Sequence, residues 1–103
     1  MYQLTVIYNQ PTDPVAFDEH YETKHVRLVK AIPGVERFSM GRCESLDGNP
    51  PAAYAIATLT FTSKDACAQA LGSDAGQAAA GDVPNFASGG ATMYFVDETT
   101  TGP

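Results

Sequence analysis

Two hydrophobic periods alternate along this chain, and their order restricts the fold more than any single residue does. Tyr2 to Tyr8 alternates, with Tyr2, Leu4, Val6 and Tyr8 on one face and Thr5 and Ile7 on the other. A helical period follows in FDEHYETKHVRLVKAIPG, Phe17 to Gly34. At about 100° per residue, Phe17, Tyr21, Leu28 and Ile32 gather on one stripe with Val29 at its margin. Two further alternating segments, Val35 to Glu44 and Ala53 to Thr62, flank the turn SLDGNPP. Ser63 caps a second helix through Leu71; Gly72 breaks it, and Ser73-Asp74 starts another helical turn or two through Ala80. GDVPNFASGG, residues 81–90, reads as a loop that contains Asn85 and Phe86, and Ala91 to Val96 reads as the last strand.

The order is therefore β-α-β-β-α-β. It predicts an α+β protein with a ferredoxin-like fold: a four-stranded antiparallel sheet carrying both helices on one face. The other face has no helix to cover it, yet strands one and three still place apolar groups there. A contiguous apolar patch on so small a domain calls for a partner, and a two-fold homodimer through the open sheet face is the commonest solution. With 103 residues the chain makes one domain, expected over residues 1–98, and 99–103 form a tail without an apolar residue.

Charge and cysteine usage narrow the partners. A formal charge of −6 and a pI near 4.5 argue against nucleic acid or an anionic membrane as partner. No run approaches the roughly 18 apolar residues of a membrane span, and MYQLTVIY lacks the basic start of a signal peptide. A cytoplasmic protein is expected. Cys43 and Cys67 lie 24 positions apart, without CxxC spacing, and are expected to be reduced structural thiols.

The first helix has a defined entry, with Asp13 as N-cap and Pro14 at its first position, and Pro33-Gly34 ends it. It also contains both histidines of the chain. His25 falls inside the apolar stripe. His20, five residues earlier, lies about 140° away around a regular helix, which predicts a surface position at the helix edge. That separation also argues against one metal ion binding both imidazoles, since metal-binding histidines on a helix stand four apart. No metal and no cofactor is expected.

The segment LTVIYNQPTDPVAFDEHYETKHVRLVKAIPGV, the paired prolines ahead of strand three and the late NFASGG together resemble the EthD family of the dimeric α/β-barrel superfamily, over residues 2–97. FxxHYxxxH followed by Pro-Gly, then NFASGG, is the most specific part. The resemblance implies two ferredoxin-like subunits packed sheet to sheet into a barrel, with a pocket in each between sheet and helices. The family takes its name from a small protein associated with bacterial ether degradation. Superfamily relatives include cofactor-free monooxygenases, polyketide cyclases, isomerases and dehydratases, so the fold does not by itself define a reaction. Residue by residue, His25 matches the histidine of the first-helix motif, and Asn85, Phe86, Gly89 and Gly90 match the late motif.

Each candidate has a bland alternative. His25 is either a buried imidazole on a backbone carbonyl or a pocket acid/base, since small shifts from pH 6.5 make it donor or acceptor. Tyr8, Tyr21 and Tyr94 either fill the core or present hydroxyls to a ligand. Asn85 either closes a turn or, with Phe86, helps bind substrate. The expectation is a cofactor-free enzyme acting on a small hydrophobic molecule, with His25 as acid/base and Tyr8, Tyr21, Asn85, Phe86 and Tyr94 as substrate contacts. The alternative is a non-catalytic module that holds such a molecule for another protein; the absence of a second evident acid or base keeps it in contention.

Overall fold

Four strands, β1 (Tyr2–Asn9), β2 (Arg37–Arg42), β3 (Ala53–Phe61) and β4 (Ala91–Asp97), form one antiparallel sheet in the order β2-β3-β1-β4, in a computed structural model that describes all 103 residues. The register sets Leu4 opposite Leu59, Val6 opposite Ala57 and Tyr8 opposite Ala55, so these side chains share the face that the helices cover. They join Phe17, Tyr21, Val29, Ile32, Cys67, Ala70, Ala79 and Phe86 in a single core. The ferredoxin-like arrangement expected from the element order is the one observed.

Both helical segments depart from the sequence expectation in ways that shape the site. The first opens as α1 (Pro14–His20), where the Asp13 side chain accepts from the Ala16 amide as predicted. It then widens into a π turn (Tyr21–His25), in which the Val26 amide bonds the Tyr21 carbonyl, and resumes as α2 (Val26–Lys30). The Thr23 hydroxyl donates to the Glu19 carbonyl at 2.6 Å and Arg27 donates to the Thr23 carbonyl at 2.9 Å, so nearby side chains serve carbonyls around the wider turn. The second segment is α3 (Lys64–Gly72), capped by Ser63, followed by α4 (Asp74–Phe86).

Residues 81–86 are thus helix, not the expected loop. Gly81 and Pro84 are weak helix formers. Two facts hold the segment helical. Pro84 stands in the final turn, and a helical bond from the Ala87 amide to the Val83 carbonyl at 2.9 Å follows it. Gly76, Ala79, Asp82 and Phe86 recur at helical spacing and all are buried, so packing overrides propensity.

At Gly76, α4 packs directly against the backbone that precedes it. A Cβ there would collide with the Ala70 carbonyl oxygen and the Leu71 backbone. Gly76→Ala should therefore lower the unfolding free energy by about 1–3 kcal/mol, the usual cost of overpacking. Urea denaturation measures it, and an unchanged midpoint would contradict the close approach.

The helix-free face carries Ile7 directly opposite Ile56, with Tyr94 opposite Thr5 and Val96 opposite Gln3. Ile56, Tyr94 and Val96 are exposed in the single chain. Both cysteines are free, Cys67 buried and Cys43 partly so. No helix is long and apolar enough to cross a membrane.

Candidate functional site

The stripe of α4 that packs against the first helix contains one charged residue, Asp82, which is only 4% exposed. A buried carboxylate requires donors, and here three side chains supply them. His20 Nε2 lies 2.9 Å from Oδ1 and 3.0 Å from Oδ2, His25 Nδ1 lies 3.0 Å from Oδ2, and Asn85 donates its amide to Oδ1 at 3.0 Å. Lys24 Nζ stands 3.9 Å from Oδ1. Burial alone would raise the carboxyl pKa, but the bonds from Asn85, His20 and His25 outweigh it and bring the value down to about 2. Asp82 is ionised throughout the neutral range.

Convergence of two histidines on one carboxylate depends on the π turn. On a regular helix, residues five apart diverge. The wider i→i+5 turn realigns them. His20 is accordingly not the free surface residue expected from helical spacing: it is partly buried, bonded to Asp82 and stacked on Phe86 with ring centroids 5.4 Å apart. No group of three or more His, Cys, Asp or Glu side chains has the arrangement to hold a metal ion.

His25 is buried, its ring 4.6 Å from that of Phe86 and 5.3 Å from that of Tyr21. An ionised carboxylate can only accept, so Nδ1 carries the proton and Nε2 carries the lone pair. Burial lowers the imidazole pKa, and the bond to Asp82 and its charge offset this only in part. The ring is neutral at pH 7, with Nε2 bonded to nothing in the chain.

Between sheet and helices lies a cavity of about 210 Å³, and His25, Tyr8 and Tyr21 are its polar wall. Leu4, Val6, Val29, Ile32, Leu59 and Val83 are among the apolar residues that complete it, and no Asp, Glu, Lys or Arg borders it. The Tyr21 hydroxyl is enclosed and has no hydrogen-bond partner. Burial raises the pKa of both tyrosines, for Tyr8 reinforced by the neighbouring Tyr21 and Asp82, so both hydroxyls stay protonated.

Of the residues singled out in the sequence, the structure brings Tyr8, Tyr21 and His25 to the cavity. Asn85 and Phe86 sit behind His25 instead: Asn85 holds Asp82, and Phe86 packs against both imidazoles. Tyr94 borders the cavity from β4 but is 57% exposed, and its pairing with Thr5 puts its side chain on the helix-free face. Asp82 was not anticipated. Its spacing from Ala79 and Phe86 is the signal that marks it, hidden as long as Gly81 and Pro84 are read as loop.

Residues 9–90 match the family model of the EthD domain. The chain is 61% identical, over the full length of both, to an uncharacterised 11.0 kDa protein encoded in the thcB-thcC intergenic region of Rhodococcus erythropolis. Among solved structures it superposes on an ethyl tert-butyl ether d (EthD) family protein from Bacillus halodurans with a TM-score of 0.91 and 31% identity, covering 96% of this chain and 99% of the other. Two more distant structures share the fold. A dimeric ferredoxin-like protein from Jannaschia has a TM-score of 0.71 at 16% identity, with 95% and 100% of the two chains covered. SnoaB of Streptomyces nogalater, a cofactor-independent oxygenase, has a TM-score of 0.69 at 16% identity, with 99% and 95% covered.

Proposed function

The chain belongs to the EthD family, and from that premise we propose that it is an enzyme that moves a proton on a small hydrophobic molecule held between its sheet and helices. One observation carries this: His25 Nδ1 is fixed on ionised Asp82 at 3.0 Å, which leaves the basic Nε2 free at the wall of an apolar cavity. A histidine base oriented by a buried carboxylate is the arrangement that fixes the tautomer in Ser-His-Asp triads. Asp82 supplies the second group that the sequence alone lacked. Tyr8 and Tyr21 border the same cavity and serve as substrate contacts, while Asn85 and Phe86 hold the Asp82–His25 pair in place.

The chemistry needs only these residues. Abstraction and return of a proton next to a carbonyl gives isomerase, lyase or cyclase reactions. Where the resulting anion itself reacts with oxygen, the outcome is a cofactor-free monooxygenase; SnoaB, on the same fold, is a cofactor-independent oxygenase. The direct test is deuterium uptake in D₂O, followed by NMR, at carbons next to the carbonyl or hydroxyl of hydrophobic ketones and phenols. Uptake accelerated by the protein is expected. Ligands that bind without any uptake would make the chain a hydrophobic-ligand module of a degradation system instead.

The partner in assembly is a second copy. Ile7, Ile56, Tyr94 and Val96 give the helix-free face an apolar centre, and a solved structure of this fold is a dimeric ferredoxin-like protein. Sedimentation velocity at micromolar concentration should show a dimer, and its interface should bury more than about 1,000 Å². A monomer at high concentration would rule out the barrel assembly.

A further inference from the structure

We infer that the cavity is built for a compact, uncharged, apolar molecule bearing one acidic hydroxyl: a phenol, or the enol of a hydrophobic ketone. This deepens the proton-transfer reading and rests on it for the role of His25. The donors and acceptors at the wall define this ligand. His25 Nε2 offers a lone pair and no proton. The Tyr21 hydroxyl is enclosed without a partner in the chain, and the Tyr8 ring lies 6.0 Å from the Tyr21 ring on the same wall. Buried polar groups without partners are rare and call for an explanation, and the few polar groups of an apolar cavity are what orient its ligand.

One hydroxyl complements both kinds of group. Its O–H donates to Nε2 while its oxygen accepts from a tyrosine. A plain ketone satisfies the tyrosine but leaves Nε2 without a donor, and a hydrocarbon satisfies neither. On transfer, the O–H bond breaks and an N–H bond forms at Nε2. The electron pair stays on the ligand oxygen, where tyrosine hydroxyls that are still protonated donate to it. The new imidazolium charge lies against Asp82 on its other side.

Charge defines the rest of the specificity. The titratable groups around His25 are Asp82, His20 and Tyr21, with Tyr8 on the same cavity wall, and the cation at this carboxylate, Lys24, already stands 3.9 Å from Asp82 with its side chain largely in solvent. Nothing positive is available for a ligand carboxylate or phosphate, and ionised Asp82 repels one. Size adds a preference. A cavity of ~150 Å³ takes benzene, so about 210 Å³ holds one ring with a short substituent, and the open side at exposed Met93 and Phe95 admits whatever extends beyond it.

The test uses p-cresol, toluene and 4-methylbenzoate as probes, with dissociation constants read by NMR titration of the wild type and of Tyr21→Phe. In the wild type, p-cresol should bind about tenfold more tightly than toluene, the value of roughly one well-made hydrogen bond, and 4-methylbenzoate should not saturate. In Tyr21→Phe the advantage of p-cresol should shrink severalfold while toluene binding stays the same. The variant should melt no earlier than the wild type, because the deleted hydroxyl has no partner in the chain. Equal affinity for p-cresol and toluene in the wild type overturns the inference, as does tight binding of 4-methylbenzoate. An early-melting Tyr21→Phe would also overturn it, since the hydroxyl would then be engaged within the protein. A Tyr21-dependent preference without deuterium uptake preserves this inference and removes the enzymatic one; uptake without the preference does the reverse.

Discussion

Replacing His25 with Gln should lower the rate of deuterium uptake into substrate by about 10²–10⁴-fold, the usual contribution of a positioned general base. Gln retains much of the volume and can still donate an amide proton to Asp82, so the variant should fold, dimerise and bind ligand. What it lacks is a group that titrates. The neutral ring of the wild type also defines the pH profile. The pKa of His25 is held below its ordinary 6.5. The free base therefore persists below that pH, and the rate should fall only as acid protonates Nε2. His25→Gln should abolish that limb of the profile. A variant that melts early but whose folded fraction turns over at the normal rate would show that the imidazole only packs the core.

Asp82→Asn should damage both stability and rate. The carboxylate accepts from His20, His25 and Asn85, and an amide can accept at only one end. Its nitrogen would face a donor. We expect a loss of about 2–3 kcal/mol at pH 7, the value of a buried hydrogen bond to a charged group. The rate should drop about 10²-fold or more, because Nδ1 no longer has an obligate acceptor to fix the tautomer. The wild type's acid response follows from the same groups. The native pKa of His25 is depressed, so its contribution is complete above 6.5 and is lost as pH falls through the native value. Asp82 moves from 3.8 to about 2, so its contribution is complete above 3.8 and is lost as pH falls towards 2. Urea midpoints at pH 7, 5 and 3 should show the wild type losing stability in both windows and Asp82→Asn lacking the lower one. Matching midpoints for the two proteins at every pH would remove Asp82 from its role in stability, and an unchanged uptake rate in Asp82→Asn would remove it from its role in proton transfer.

The architecture was legible because its signals are local. The period-two pattern in residues 2–8 and 53–61, the Asp13-Pro14 entry and the Pro33-Gly34 exit each act within a few residues, and their order leaves few topologies. The core face followed: Leu4, Val6, Tyr8, Phe17 and Tyr21 are all buried. His25 was visible as an imidazole on an apolar stripe. Its partner was not, because Asp82 lies between Gly81 and Pro84, whose local preferences oppose the helix that tertiary packing imposes. His20 was misplaced for a related reason. Periodicity arguments assume a constant turn, and the π turn changes the period over five residues.

That turn has a consequence for how this chain can vary. The two imidazoles meet one carboxylate because of the number of residues between them, and the identity of those residues matters less. Glu22 and Thr23 point to solvent, and neither touches Asp82, Tyr8 or the cavity wall. A point change at Glu22 leaves the geometry standing, and one at Thr23 removes only the hydroxyl's bond to the Glu19 carbonyl. An inserted or deleted residue would rotate everything before the turn relative to everything after it, and would part His20 from His25 without altering either. In this stretch the geometry rests on a count, and gaps rather than substitutions are what the site cannot absorb.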